Sequence, residues 1–330
     1  HASWSGCTPC DLVFPFFLFC VGVSMTFAMA KYPGLTAPAV RKVLKRGFML
    51  FIIGFLLTAY PFFPAHRNPD MTAWQNWLEW AGNLRLMGIL QRISLCYILA
   101  SVLVLWLRTT KKIAIAAGAL CALHLALLLI FAGPEGAFSL EGNFARKVDL
   151  VLLGEQQMYH GYGVPFDPEG LLGTLTGAAT VLLGYMIGQV VKSDAPVNVS
   201  AKVFSISAGL LLGGLALGLV VPINKPMWTA SYVLYTAGWA SFVLALLIYL
   251  VDVRGWEKPF FPFKALGMNA LAVFVLSGLI MKTIWRFTDW DYTLVFGQTE
   301  FMSFLFSFLY TLVNLGIAVV LYRRKIFIKL

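Results

Sequence analysis

The chain is written in long unbroken apolar runs separated by short polar stretches, with little of the alternation that marks a half-buried strand. A run of about 20 apolar residues is long enough for a helix to cross the hydrocarbon core of a bilayer. Nine such runs occur, at roughly 9 to 30, 43 to 61, 86 to 107, 112 to 132, 169 to 191, 203 to 221, 229 to 251, 262 to 284 and 301 to 322. The fold class they predict is all-α, a polytopic transmembrane helical bundle. No long polar segment is left over, so residues 1–330 are expected to form a single transmembrane domain. Neither a Met nor a charged segment precedes His1, and one further span is expected before it.

The polar stretches fall into two alternating sets. One is basic, with Arg41, Lys42, Lys45 and Arg46, then Lys111 and Lys112, then Lys192 and Lys202, then Arg254 and Lys258, and last Arg323, Arg324 and Lys325. The other holds most of the acids, among them Asp11, Glu141, Asp149, Asp167, Glu169 and Glu300. Cytoplasmic loops carry the excess of Lys and Arg, so the first set is expected inside and the loop after His1 outside. An odd number of spans then puts the basic C-terminus in the cytoplasm. The expected location is the cell inner, or plasma, membrane.

Several local patterns refine this outline. Thr8, Pro9 and Asp11 read as an N-cap, a first-position proline and a carboxylate that accepts from free backbone N–H groups. Pro15 is expected to kink the helix they start. Trp74, Trp77 and Trp80 fall at three-residue spacing, which a short helix would gather on one face, as an interfacial anchor or a stacking surface for a sugar. Arg85, Gly88 and Arg92 share one face of the third predicted span, with Gln91 and Ser94 beside them. An intramembrane arginine needs an ion-pair partner or a water-filled cavity. Asp167 before Pro168 reads as a second N-cap with Glu169 in the first turn. Glycines at close spacing, such as Gly184 with Gly188 and Gly213 with Gly214, predict tight helix packing.

Composition agrees with a membrane protein: 59% hydrophobic, 12% charged, mean hydropathy +0.79. The net charge of +10 would suggest nucleic acid in a soluble domain, but here the charges follow the topology. Five cysteines in apolar settings are no disulfide framework, and only Cys7 and Cys10 form a CxxC. Neither a Walker A nor a Rossmann glycine pattern occurs. His1, Cys7 and Cys10 at unequal spacing are a poor set of zinc ligands, and no metal is expected.

His1-Ala-Ser-Trp-Ser-Gly6, Asp11-Leu-Val-Phe-Pro15, Arg85 with Gly88-Ile-Leu-Gln-Arg92, Phe166-Asp-Pro-Glu-Gly170, Asn224-Lys-Pro-Met-Trp228-Thr-Ala-Ser231 and Gly267-Met-Asn269 follow in order along nearly the whole chain. Together they resemble the heparan-alpha-glucosaminide N-acetyltransferase family. That family includes a lysosomal enzyme and shorter bacterial relatives, some labelled as transporters related to amino sugars. With no large luminal domain, this chain resembles a bacterial member. The resemblance implies acetyl transfer from cytoplasmic acetyl-CoA to the amine of a glucosamine across the membrane. By match to the first motif, His1 occupies the family's active-site histidine. The preceding family helix, which bears an active-site asparagine, is not in this sequence.

The residues fit the same outline. Acetyl-CoA is too charged to cross a bilayer, but its thin pantetheine arm can carry the thioester outward along a tunnel containing Arg92. His1 is the expected base or nucleophile, with Asp11 and Glu169 as supporting carboxylates. Arg85, Arg92 and Gln91 are expected to hold the thioester carbonyl or the CoA arm, and Asn269 to meet CoA nearer the cytoplasm. Asn224, Trp228 and Ser231 are the expected acceptor side. The partners are then acetyl-CoA, an amino sugar and the lipid bilayer, without nucleic acid, and with a homodimer left open. The alternative is a transporter of amino sugars, which would use the same polar cavity; two matching interrupted helices, the mark of an inverted repeat, are missing.

Overall fold

The computed structural model describes residues 2–64, 67–288, 297 and 299–328. Among them the regular structure is all helical: α1 (Val13–Met29), α2 (Ala37–Ala59), α3 (Ala73–Gly82), α4 (Ile89–Leu107), α5 (Thr110–Ile130), α6 (Phe144–Leu152), α7 (Thr174–Val191), α8 (Pro196–Gly218), α9 (Ala230–Ile248), α10 (Glu257–Met268), α11 (Ala270–Phe287) and α12 (Glu300–Arg323). Eight helices among the described residues are long and apolar enough to cross a membrane. The predicted run from 43 to 61 falls in α2, whose first half carries Arg41, Lys42, Lys45 and Arg46. Contacts divide the chain into two units, His1–Phe55 with Gly82–Arg254, and Leu56–Ala81 with Gly255–Leu330.

Predicted boundaries move at several helices, α2 and α8 beginning at Ala37 and Pro196 rather than 43 and 203, and three changes have a readable local cause. The third span begins at Ile89 rather than 86, because Gly88 is fully extended and caps the helix (φ −175°, ψ −176°). Arg85 therefore lies on an irregular segment and does not share a helical face with Arg92. The fifth span begins at Thr174 rather than 169. Asp167 caps a turn instead of a helix, its Oδ1 accepting the Glu169 N–H at 2.9 Å while the Gly170 N–H donates to the Asp167 carbonyl at 3.0 Å. The eighth span is broken at Asn269 into α10 and α11.

The start of α1 follows the expected capping box, with Thr8 and Asp11 bonded reciprocally across a 3-10 turn, Pro9–Leu12. Pro15 falls in the first turn of α1, and the discontinuity is the change from 3-10 to α winding rather than a kink farther on. Pro15 has no N–H to give the carbonyl four residues back, that of Asp11, and a side-chain donor reaches this carbonyl from another helix. The Tyr232 hydroxyl from α9 supplies it, at 2.6 Å and fully buried. Tyr232→Phe removes this buried bond, and the expected loss is about 1 kcal/mol of stability in reversible unfolding. An unchanged midpoint would contradict this.

In the first unit α1 lies against α7 at backbone distance. A Cβ on Gly22 would strike the Val181 carbonyl, and one on Gly184 the Phe19 carbonyl. This is the close approach the glycine spacing predicts. On α8 it holds for Gly214, which touches the Tyr235 backbone, while Gly209 faces open space. In the second unit α3 gathers its three tryptophans on one face: Trp74 and Trp77 stack at 5.2 Å and 8°, and Trp77 and Trp80 meet at 6.0 Å.

Candidate active site

The polar loop before α1 is clasped from two sides of the first unit. The Gly6 N–H donates to the Ile223 carbonyl at 2.7 Å, and Asn224 Nδ2 donates to the Trp4 carbonyl at 3.0 Å. Trp4 in turn donates through Nε1 to the Phe138 carbonyl at 2.8 Å and packs edge-on against Tyr162 and Phe166, at 5.8 and 5.3 Å. A loop of small and polar residues is thus held by aromatic packing it could not generate alone.

Asp11 lies at the base of this loop, 1% exposed. Its Oδ2 accepts from the Thr8 hydroxyl at 2.7 Å, the Thr8 N–H at 3.0 Å and the Ala2 N–H at 3.1 Å. Its Oδ1 accepts from Lys225 Nζ at 3.2 Å. The carboxylate thereby holds the chain at residue 2, beside His1, which lies outside the described residues. Cys7 shares this setting; burial, then the charge of Asp11, pushes its thiol up to about 11, with Lys225 opposing.

Arg85 forms the second charged group. Its guanidinium takes Asp167 with two bonds, at 2.9 Å from Nε and 2.7 Å from Nη2, and also donates to Glu169. Its outer face lies over the Tyr159 ring at 4.9 Å. Burial alone would make Arg85 easier to deprotonate, but the bonds and charges of Asp167 and Glu169 override it and hold the group above the usual arginine range. Planar two-point pairing is what a guanidinium does and an ammonium does not.

Arg92 lies deeper, 1% exposed, donating through Nη2 to the Gly170 carbonyl at 2.8 Å, with its guanidinium 5.2 Å from the Trp228 ring centre. Gly173 makes room for it, since a Cβ there would overlap Nη2. Gln91 turns away and donates to the Leu86 carbonyl at 3.1 Å.

The side chains expected on the acceptor side are buried and engaged within the protein. Asn224 bonds Trp4 and the Met227 N–H, Trp228 donates to Thr180 at 3.1 Å, and Ser231 donates to the Pro222 carbonyl at 3.0 Å. They shape the 222–231 turn, in which Trp228 takes a left-handed φ of 54°. The side chain this turn sends to the site is Lys225, 24% exposed and unremarked in the sequence reading although it sits inside the Asn224–Ser231 motif. Asp149 on α6 is a second addition, its Oδ1 accepting the Leu171 N–H at 2.9 Å and so anchoring the turn that carries Asp167 and Glu169. Asn269, in the second unit, spends both ends of its amide on the Ile326 carbonyl and the Ile328 N–H, each at 3.0 Å.

Fold and site together define a polytopic helical membrane protein with buried ionised groups gathered around a polar loop. Comparison places it more closely. Over its whole length the chain is 26% identical to the heparan-alpha-glucosaminide N-acetyltransferases of Homo sapiens and of Mus musculus. It spans about half the length of these curated relatives, 55% and 56% respectively. No protein-family model matches. The chain is a distant relative of the heparan-alpha-glucosaminide N-acetyltransferases.

Proposed function

We propose that this chain carries the membrane-embedded site of an N-acetyltransferase, which moves an acetyl group from cytoplasmic acetyl-CoA to the amine of a glucosamine-type sugar on the outer side of an inner, or plasma, membrane. The observation that carries this reading is convergence. Five of the sequence segments that resemble the family meet through Trp4 with Phe166, Asn224 with Trp4, Lys225 with Asp11, and Arg85 with Asp167.

In such a transfer the amine nitrogen forms a bond to the thioester carbonyl carbon, the C–S bond breaks, and the proton lost by the amine ends on the CoA thiol. His1 takes that proton, or first accepts the acetyl group itself. Asp11 positions it through the Ala2 N–H, and Lys225 brings positive charge next to the same carboxylate. Arg85 and Glu169 line the approach, and Arg92 fixes the backbone beneath them. Direct transfer requires both substrates together and the acetyl-histidine route does not, so initial-rate patterns with both substrates varied separate the two. The reading is tested with full-length protein in lipid nanodiscs, labelled acetyl-CoA and free glucosamine. Labelled N-acetylglucosamine is the expected product, and its absence from demonstrably folded protein offered several amino sugars would overturn the proposal.

A further inference from the structure

Beneath the Asp167–Gly170 turn lie two buried groups of opposite charge that grip the same short stretch without pairing. Arg92 donates to the Gly170 carbonyl at 2.8 Å. Asp149, 0% exposed, binds the Leu171 N–H through Oδ1, while its Oδ2 lies so close to Gly170 that a Cβ there would overlap it. Among the described residues no ion pair joins the two. Among the described residues Arg92 Nε and Nη1 and Asp149 Oδ2 have no hydrogen-bond partner.

A third group of the same kind is near. His124 on α5 is 1% exposed, its Nε2 has no partner among the described residues, and the charge of Arg92 acts on its ring. It stands one turn before Leu128, and Asp149 stands one turn after Ala145. Leu128, Ala145 and Leu172 form one apolar cluster, so His124 and Asp149 lie on the packed faces of their helices.

The open valences are complementary: two donors from Arg92, one acceptor from Asp149, and an imidazole nitrogen able to play either part. A cation would meet the guanidinium and an anion the carboxyl, whereas water both donates and accepts. Buried polar groups left unpaired are costly, and a water with about two to four polar partners is the usual completion.

We propose that Arg92, His124 and Asp149 enclose an internal hydration site, in which ordered water bridges the carboxyl to the guanidinium and the imidazole, and in which Asp149 holds an exchangeable proton. Burial, reinforced by the charge of Asp167, pushes the Asp149 carboxyl up to about 7 against the Leu171 N–H and Arg92, which pull it down. The charges bearing on it are those of Asp167 from the turn and Arg92 from α4, and Arg92 also acts on His124 from α5. On its own helix Arg146 donates to the Pro165 carbonyl and Lys147 to the Phe131 carbonyl. The proton step is carboxylate plus hydronium giving carboxylic acid plus water.

A carboxyl pushed up on folding binds its proton more tightly in the folded chain than in the unfolded one. Its contribution to stability is fully present below the ordinary carboxylate value and is lost as pH rises through about 7. The site stands apart from the acyl-transfer reading, and its test uses no substrate.

Infrared difference spectroscopy of the full-length protein in nanodiscs reads both parts. The expected result is a carboxylic-acid C=O band that disappears as pH is raised through about 7 and is missing in Asp149→Asn. A water O–H band, identified by its shift in oxygen-18 water, is expected to be lost in the same variant. Persistence of the acid band in Asp149→Asn, or an acid band with no accompanying water band, would overturn the proposal. Should Asp149→Asn fail to assemble, His124→Phe keeps the carboxyl and removes one partner. The expected outcome is then a weakened water band with the acid band retained, and an unchanged water band overturns the site.

Discussion

Arg85→Ala is expected to cost about 3 kcal/mol of folding stability, the largest loss from any one side chain of the site. The loss arises less from the bonds removed than from what remains. Asp167 has a side chain 0% exposed and Glu169 one 13% exposed, so truncation leaves two carboxylates facing each other on one turn without a cation. The expected value sits at the lower end of the range for broken buried pairs because the guanidinium is 27% exposed and water can partly take its place. Arg85→Lys is expected to recover only part of the loss, since an ammonium cannot repeat the two bonds to Asp167. Denaturant unfolding in nanodiscs measures both; a loss below about 1 kcal/mol for the alanine variant would mean the cluster is solvated more than its burial indicates.

Asp11→Ala is expected to lower the transfer rate about 100-fold or more. Among the described residues four bonds converge on this carboxylate, three from the segment between Ala2 and Thr8 and one from Lys225. Without them the chain is anchored only from Trp4 onward and Ala2 loses its hold, and a displacement of about 1 Å at a reacting group is enough for a loss of that size. Because Asp11 acts by positioning, kcat should fall while KM for acetyl-CoA changes little. A variant in which KM rises and kcat stays would assign Asp11 to donor binding instead. Asp11→Asn keeps an acceptor for the backbone donors but loses the charge facing Lys225, and should fall between wild type and alanine.

The parts of this arrangement legible in the sequence are those set by neighbours along the chain. The capping of α1 needs only Thr8, Pro9 and Asp11, and the stacked tryptophans of α3 need only their spacing. Long apolar runs mark the spans because hydrocarbon demands length and little else. Where α4 and α7 begin was not legible, because hydropathy continues across Gly88 and Gly170 while the backbone there is held by contacts from elsewhere. The Asp167–Gly170 turn is secured by Arg85, Arg92 and Asp149, none of them adjacent in sequence. Lys225 stood inside a quoted motif, yet its partner is Asp11, 214 residues away, and no periodicity reports a pairing at that range. The same limit applies to Trp228, expected on the acceptor side, which the fold places fully inside with its ring centre 5.2 Å from the Arg92 guanidinium.

The most direct test of the account compares wild type with His1→Ala, both full-length, folded and in nanodiscs, for movement of label from acetyl-CoA to glucosamine. The account predicts labelled N-acetylglucosamine from wild type and none above background from the variant. Equal transfer by His1→Ala would contradict it, by placing the reaction centre somewhere other than the loop that Asp11 and Lys225 hold.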